Sequence, residues 1–338
     1  MGIVMLFWGF VLVQIDTINL TGIPDSLPID VFKDFPSCYD ICFTDDMIYL
    51  SYLYPNGKAF ILRFTADGRF KSLFSSQGEA PEKYSFSIWD LKSKGDTLFI
   101  FSSHKVLAYT DKGEFLYSKI IRLGINIPEE IYWCHGKWIA FGESWDFIPE
   151  KGRYVSEECI TEFDHSFKYL RSYFKPALSS RYLNCGLLTA HFIGDIGEGN
   201  LYLVNRPNPE IFVIDLDKGS LERKIRLRIP GLKKVRLAPR KKWKERGIMS
   251  DTNKFIDALI DWTNTFSFIS SIVYNNGNFY LCYRDWENSK YTFYLVELNK
   301  DLKVLSKIVA PGNLIQAYKG NLVFAIAPNS ILMCKVEE

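Results

Sequence analysis

Val13-Gln14-Ile15-Asp16-Thr17-Ile18-Asn19-Leu20-Thr21-Gly22-Ile23-Pro24 alternates apolar and polar side chains and then breaks at a glycine and a proline. A period of two marks a half-buried strand, and the Gly and Pro mark its exit. Two later stretches leave in the same manner, Ile121-Arg122-Leu123-Gly124-Ile125-Asn126-Ile127-Pro128 and Ile225-Arg226-Leu227-Arg228-Ile229-Pro230-Gly231. Each of those ends a run of four strands, whereas the opening segment has no strands of its own unit ahead of it. It reads as a fourth strand in search of three others.

Those three stand at the other end. Working along the chain, one pattern recurs six times: an apolar strand opens behind a tight polar turn, a second follows after a gap, and an Asp/Asn-rich turn follows that. The openings are Thr44-Asp45-Asp46 before Met47, Lys94-Gly95-Asp96 before Thr97, His135-Gly136 before Lys137, Gly197-Glu198-Gly199 before Asn200, Asn275-Asn276-Gly277 before Asn278 and Lys319-Gly320 before Asn321. Gly, Asn and Asp tolerate the positive φ that a hairpin turn requires. Fourth strands follow in five units, over 69–75, 114–123, 167–174, 220–227 and 302–309, but the sixth unit runs out at Glu338. The opening segment is the strand that would complete it, so Val13–Leu20 is expected beside Ile331–Val336.

Six four-stranded sheets with only short protected edges resemble the six-bladed β-propeller superfamily, the group that includes NHL-repeat and TolB-like proteins. The resemblance covers roughly residues 13–336 and rests on periodicity and turn chemistry, since no WD dipeptide set or kelch double glycine is present. The composition agrees with an all-β fold: 26 Phe, 19 Tyr and 8 Trp make up 16% of the chain. Lys+Arg 41 against Asp+Glu 39 leaves a formal charge of +2 and no global field.

Ile3 to Val13 form an apolar run too short to span a bilayer as a helix but long enough for the core of a secretory signal. No basic residue precedes it and no small-x-small cleavage site follows. Residues 1–12 are read as a targeting segment, which makes the protein extracytoplasmic, periplasmic or secreted; a buried strand is the competing reading and would leave the protein cytoplasmic. Residues 13–338 are read as one propeller domain with an insertion at 229–266, and a monomer is expected. The seven cysteines (Cys38, Cys42, Cys134, Cys159, Cys185, Cys282, Cys334) are an odd number, lie mostly in apolar strands and include no CxxC, so they are read as buried packing residues.

In a propeller the loops between strands two and three, and those between blades, emerge on one face. Here every long insertion falls in that class: Tyr54–Lys58, Ser144–Ser156, Lys175–Gly186, Asn205–Pro209, Ile229–Phe266 and Arg284–Lys290. Long loops carry binding groups more often than tight turns do. The rim of that face is expected to display Asn56, His104, Trp145, Asn205, Arg206, Arg284, Asp285, Trp286 and Asn329. Guanidinium forks bind carboxylate or phosphate and indole faces stack on rings, so the set suits an anionic or sugar-like ligand. Packing of Trp145 and Trp286 against the blade tops is the competing reading.

The insertion is the second feature. From Glu222 to Arg246 twelve Lys/Arg face two acidic residues, a local charge of +10 that leaves −8 for the remainder. Lys233, Lys234, Arg236, Arg240, Lys241, Lys242, Lys244 and Arg246 form its basic patch and are expected to attract an anionic partner. After it, Ser250 or Asp251 caps a short helix, between blades four and five, whose Phe255, Ile256, Leu259, Ile260 and Trp262 form one stripe.

No HExxH, GxSxG, P-loop, strand-borne GxGxxG or EF-hand occurs. His135 and His165 fall in short turns, while His191 could face a central channel with Asp195 or Asp90. No catalytic residue, metal site or cofactor is assigned. The sequence therefore points to a non-enzymatic propeller that binds a protein, peptide or glycan on its long-loop face. The alternative is a hydrolase or lyase using a divalent metal at the channel mouth.

Overall fold

The structure is a computed structural model, and it describes residues 4–5, 10–24, 39–53, 59–75, 80–84, 88–123, 128–143, 145–148, 153–176, 192–236, 238–326 and 330–337. Six antiparallel four-stranded sheets follow one another along the chain. They are Tyr39–Phe43, Met47–Leu53, Ala59–Thr65 and Phe70–Ser75; Ile88–Lys94, Thr97–Ser102, Lys105–Thr110 and Phe115–Ile120; then Pro128–Cys134, Lys137–Gly142, Ile160–Phe163 and Tyr169–Tyr173. The fourth is Phe192–Gly197, Asn200–Asn205, Asn208–Asp215 and Ser220–Arg226, and the fifth Phe268–Asn275, Asn278–Glu287, Lys290–Leu298 and Val304–Val309. The sixth takes Asn313–Tyr318, Asn321–Ile326 and Ser330–Glu337 from one end of the chain and Val11–Asn19 from the other. This is the all-β, six-bladed propeller expected from the repeats.

The chain divides into two compact units. One holds Met1–Gly142, Cys159–Tyr173 and Pro311–Glu338; the other holds Glu143–Glu158 and Phe174–Ala310. Sheets one, two, three and six belong to the first, and sheets four and five to the second.

Closure of the sixth sheet runs from Val11 opposite Glu337 to Asn19 opposite Ser330, with a register shift between Gln14 and Asp16. That shift leaves Ile15 half exposed and turns Ile18 and Leu20 inward. Both join one apolar cluster with Ile331, Val323, Ile41 and Leu62, so the strand carries core from sheet six into sheet one. Its exit is pinned as well: Thr21 N–H donates to the Gly68 carbonyl at 3.0 Å. Gly68 has φ +87°, and a Cβ there would collide with the Asn19 carbonyl oxygen. Val4–Met5 adds a further short antiparallel strand outside Val11–Asn19.

Two turn devices repeat. Between first and second strands, His135-Gly136, Glu198-Gly199, Asn276-Gly277 and Lys319-Gly320 place both central residues at positive φ, the primed turn that matches strand twist. Between third and fourth strands, Thr65, Thr110, Asp164 and Asn299 each accept, through a side-chain oxygen, the N–H of the residue four positions on, at 2.9–3.1 Å. The residue before that donor is left-handed in all four: Gly68, Gly113, Phe167 and Leu302. Phe167 and Leu302 are buried, so core packing holds two bulky side chains in a conformation they otherwise avoid.

Neighbouring first strands are stitched by a carboxylate. Asp40 Oδ2 accepts from Leu91 N (2.6 Å), Asp90 Oδ2 from Ile131 N (2.6 Å) and Asp195 Oδ2 from Tyr274 N (2.7 Å). Lys92 lies 3.0 Å from Asp90 Oδ1. Burial works against its charge, but Asp90, Asp40 and Glu130 outweigh burial and hold its pKa above the ordinary lysine value. The five cysteines within the described residues are free thiols, and burial raises the Cys42 thiol to about 12. Cys38 and Cys185 lie outside the described residues.

The insertion departs from expectation in one respect. Besides the expected helix, Thr252–Thr263, capped by Asp251 accepting from Asn253 N and Lys254 N, it forms a second one, Arg240–Glu245. These are α1 (Arg240–Glu245) and α2 (Thr252–Thr263) below. Two of the expected long loops are also much shorter. Strands run up to Asn205 and resume at Asn208, and they run through Arg284 to Glu287 and resume at Lys290. Asn288 and Ser289 take φ 50° and 61°, a two-residue turn that lets the aromatic flanks Trp286 and Tyr291 pair. The loop Ser144–Ser156 contains a hairpin of its own, Trp145–Ile148 with Arg153–Ser156.

Gly68→Ala is expected to cost at least about 2 kcal/mol more than Gly95→Ala, whose added methyl meets open space. Urea midpoints of the two variants measure it; equal losses would mean that the closing strand does not press on the turn at Gly68.

Candidate functional site

The end of the fifth sheet's central hairpin has two faces, because successive side chains alternate across a strand. Asp285 and Glu287 point to one, Arg284 and Trp286 to the other.

The first face clamps the insertion. Asp285 Oδ1 accepts from Ser267 Oγ at 2.5 Å, and Ser267 Oγ in turn accepts from Lys233 N at 2.7 Å. Lys233 Nζ lies 3.4 Å from Asp285 Oδ2 and 3.5 Å from Glu287 Oε1. Tyr294 donates its hydroxyl to Glu287 Oε2 at 3.2 Å. Asp285 is 3% exposed and fully engaged, so its work is to hold the neck of the insertion.

The second face is a stack of rings and guanidiniums. Phe268 stands opposite Arg284 in the ladder, and Trp286 opposite Tyr291. The Arg284 guanidinium carbon lies 5.0 Å from the Phe268 ring centre and 4.3 Å from that of Tyr291. Arg206, in the short turn after Asn205, brings a second guanidinium to 5.7 Å from the same Phe268 ring. Its carbonyl accepts from Ile269 N at 2.9 Å, which fixes the turn against the fifth sheet. Trp286 meets Tyr291 edge to face at 4.7 Å and keeps 38% of its surface exposed. Tyr291 is anchored by donating to Asn264 Oδ1, at the C-terminal end of α2, at 3.0 Å.

The electrostatics follow. Burial, with Arg206 adding repulsion and Tyr291 opposing it, pushes the Arg284 pKa down to about 9. The arrangement sets two guanidiniums around one aromatic ring, with an indole edge beside them.

The sequence-expected rim residues are thus distributed unevenly. Arg206, Arg284 and Trp286 come together in the second unit, with Asp285 on the reverse face and Asn205 buried beneath the turn. His104 is exposed in a turn of the first unit, where its carbonyl accepts from Ile121 N. Asn56, Asn329 and His191 lie outside the described residues, as does the side chain of Trp145. Phe268 and Tyr291 were not singled out from sequence. The Asn288-Ser289 dipeptide between aromatic flanks was the signal that Tyr291 pairs with Trp286. Asp90 and Asp195 accept backbone N–H groups of neighbouring first strands. Among the described residues no three His, Cys, Asp or Glu side chains form a group able to hold a metal ion.

Comparison with solved structures agrees with the architecture. The chain superposes on a member of the DUF4221 family from Bacteroides vulgatus with a TM-score of 0.59 at 10% identity, covering 98% of this chain and 99% of that one. The likeness is one of fold. A protein of unknown function from Bacteroides caccae gives 0.50 at 15% identity over 90% of each chain. The WD40 domain of Neurospora crassa Pan2 gives 0.52 at 8% identity over 98% of this chain and 96% of that one. No family model and no curated protein matches the chain.

Phe268→Ala is expected to cost about 3–5 kcal/mol, because the ring packs in the insertion's core and lies under the Arg284 guanidinium. Chemical denaturation checks this; a loss below about 1 kcal/mol would mean that the ring does not join the insertion's core to the arginine stack.

Proposed function

We propose that the protein is a non-enzymatic binding propeller, akin to NHL-repeat and TolB-like propellers, that holds the acidic group of a peptide, glycan or protein partner against Arg206 and Arg284. The observation that carries this reading is the pair of guanidiniums converging on Phe268, with Trp286 exposed beside them. Charge-assisted bonds to guanidinium supply affinity for the anion, and the indole supplies apolar contact next to it. Recognition of an anion is the chemistry that this reading assigns to the arrangement. Export is part of the same reading, and fractionation of the native cells tests it.

Titration calorimetry against short peptides and oligosaccharides, with and without a carboxylate, tests it. Acidic members are expected to bind and neutral ones not, and Trp286→Ala with Arg206→Gln is expected to weaken binding at least tenfold, about 1.4 kcal/mol. Equal affinity for acidic and neutral ligands, or for parent and variant, would sink the reading.

A further inference from the structure

Residues 233–246 carry eight Lys/Arg and one acidic residue, Glu245, a local +7 in a chain of +2, so the rest sums to −5. Lys233 belongs to the clamp on Asp285 and Glu287. Lys234, Arg236, Lys241, Lys242, Lys244 and Arg246 are exposed, and none is ion-paired among the described residues. The exposed Lys175, Lys218, Lys224 and Lys254 of the same unit, by contrast, each sit against a carboxylate.

The cations are held on a rigid mount. Trp243, 6% exposed, packs with Val235, Trp262, Phe266 and Phe268, and its indole meets Phe255 edge to face at 5.9 Å. With about 100° between successive helical residues, Lys242 and Lys244 flank the buried Trp243 and Lys241 lies on the far side. The outer half of α1 therefore carries three lysines, with Glu245 beside Lys241. The neck of the insertion is tied by Ser267 N donating to the Lys233 carbonyl (3.0 Å), and Trp262 Nε1 donates to the Arg236 carbonyl (3.1 Å).

We propose that this face docks the protein on an anionic lipid surface. The aromatic residues of the insertion's cluster face its core, which leaves no exposed ring on the patch to stack on a base or a sugar. Attraction rests on charge alone, and fluid lipid headgroups rearrange under fixed cations, whereas a duplex demands phosphates at set positions. Residues 233–246 carry a charge opposite to that of the remainder, so attraction to an anionic surface acts through the insertion. This docking does not use the Arg206–Arg284 site.

The test is partitioning of the full chain onto vesicles of phosphatidylcholine with and without phosphatidylglycerol. Binding is expected only with the anionic lipid and is expected to weaken steeply with added salt. The variant Lys241→Gln/Lys242→Gln/Lys244→Gln should bind about a hundredfold more weakly, at about fivefold per cation. Lys218→Gln/Lys319→Gln should bind as the parent does. Should the triple variant lose its cooperative thermal transition, Arg236→Gln/Arg246→Gln reads the same face, with about a twenty-five-fold loss expected. Partition that is insensitive to these changes, or equal on neutral vesicles, overturns the proposal. So does tighter binding to a random-sequence DNA duplex than to the anionic vesicles at the same salt, which would make nucleic acid the partner.

Discussion

The pairing of Val11–Asn19 with Ser330–Glu337 is the constraint on which the first unit depends. Without it, sheet six would end on an open edge, and Ile331 and Val323 would lose Ile18 and Leu20 from their cluster. The same strand then leaves through Thr21 over the turn at Gly68, so it touches sheet one as well as completing sheet six. Backbone bonds set its register, and buried aliphatic side chains make that register costly to slip, since a shift of one residue would turn Ile18 outward.

Within each unit, order is propagated by small polar devices rather than by size of core. A carboxylate on one first strand accepts an amide from the next sheet's first strand, and a Thr, Asp or Asn closes the outer turn. Such bonds satisfy backbone groups that would otherwise lie buried and unpaired. In the second unit the same logic builds the site. Asp285 and Glu287 grip the insertion from one side of a strand, which leaves Arg284 and Trp286 rigidly presented from the other. The Phe268 ring belongs both to the insertion's core and to the arginine stack, so packing of the helices and geometry of the guanidiniums are coupled.

Much of the fold was legible because turns at positive φ restrict residue type: Asn276-Gly277 and Lys319-Gly320 announce themselves. Leu302 and Phe167 do not, since their left-handed conformation is imposed by burial and by the Asn299 and Asp164 side chains. Asp40, Asp90 and Asp195 each precede an Ile or Leu on a first strand. That pattern lies open in the chain but looks like any polar position of an alternating strand until the neighbouring sheet is in place. Arg284–Lys290 reads in the sequence as a long loop between strands two and three. Alternation in fact continues through it, and only the opposed roles of its two faces explain why charged residues occupy a ladder. The basic stretch was visible as composition, whereas the separation of Lys233 from the free lysines required the clamp.

The two strands that seal the sixth sheet lie some three hundred positions apart, and the second unit is encoded between the parts of the first. During synthesis Val11–Asn19 can lean on sheet one, but its ladder partner is missing until Ser330–Glu337 has emerged. Loop-closure entropy of that size makes the sealing step late and slow. Nascent chains are vulnerable to sticking in that interval, so chaperone demand should be set by this one seam rather than by the individual sheets, each of which assembles from neighbours.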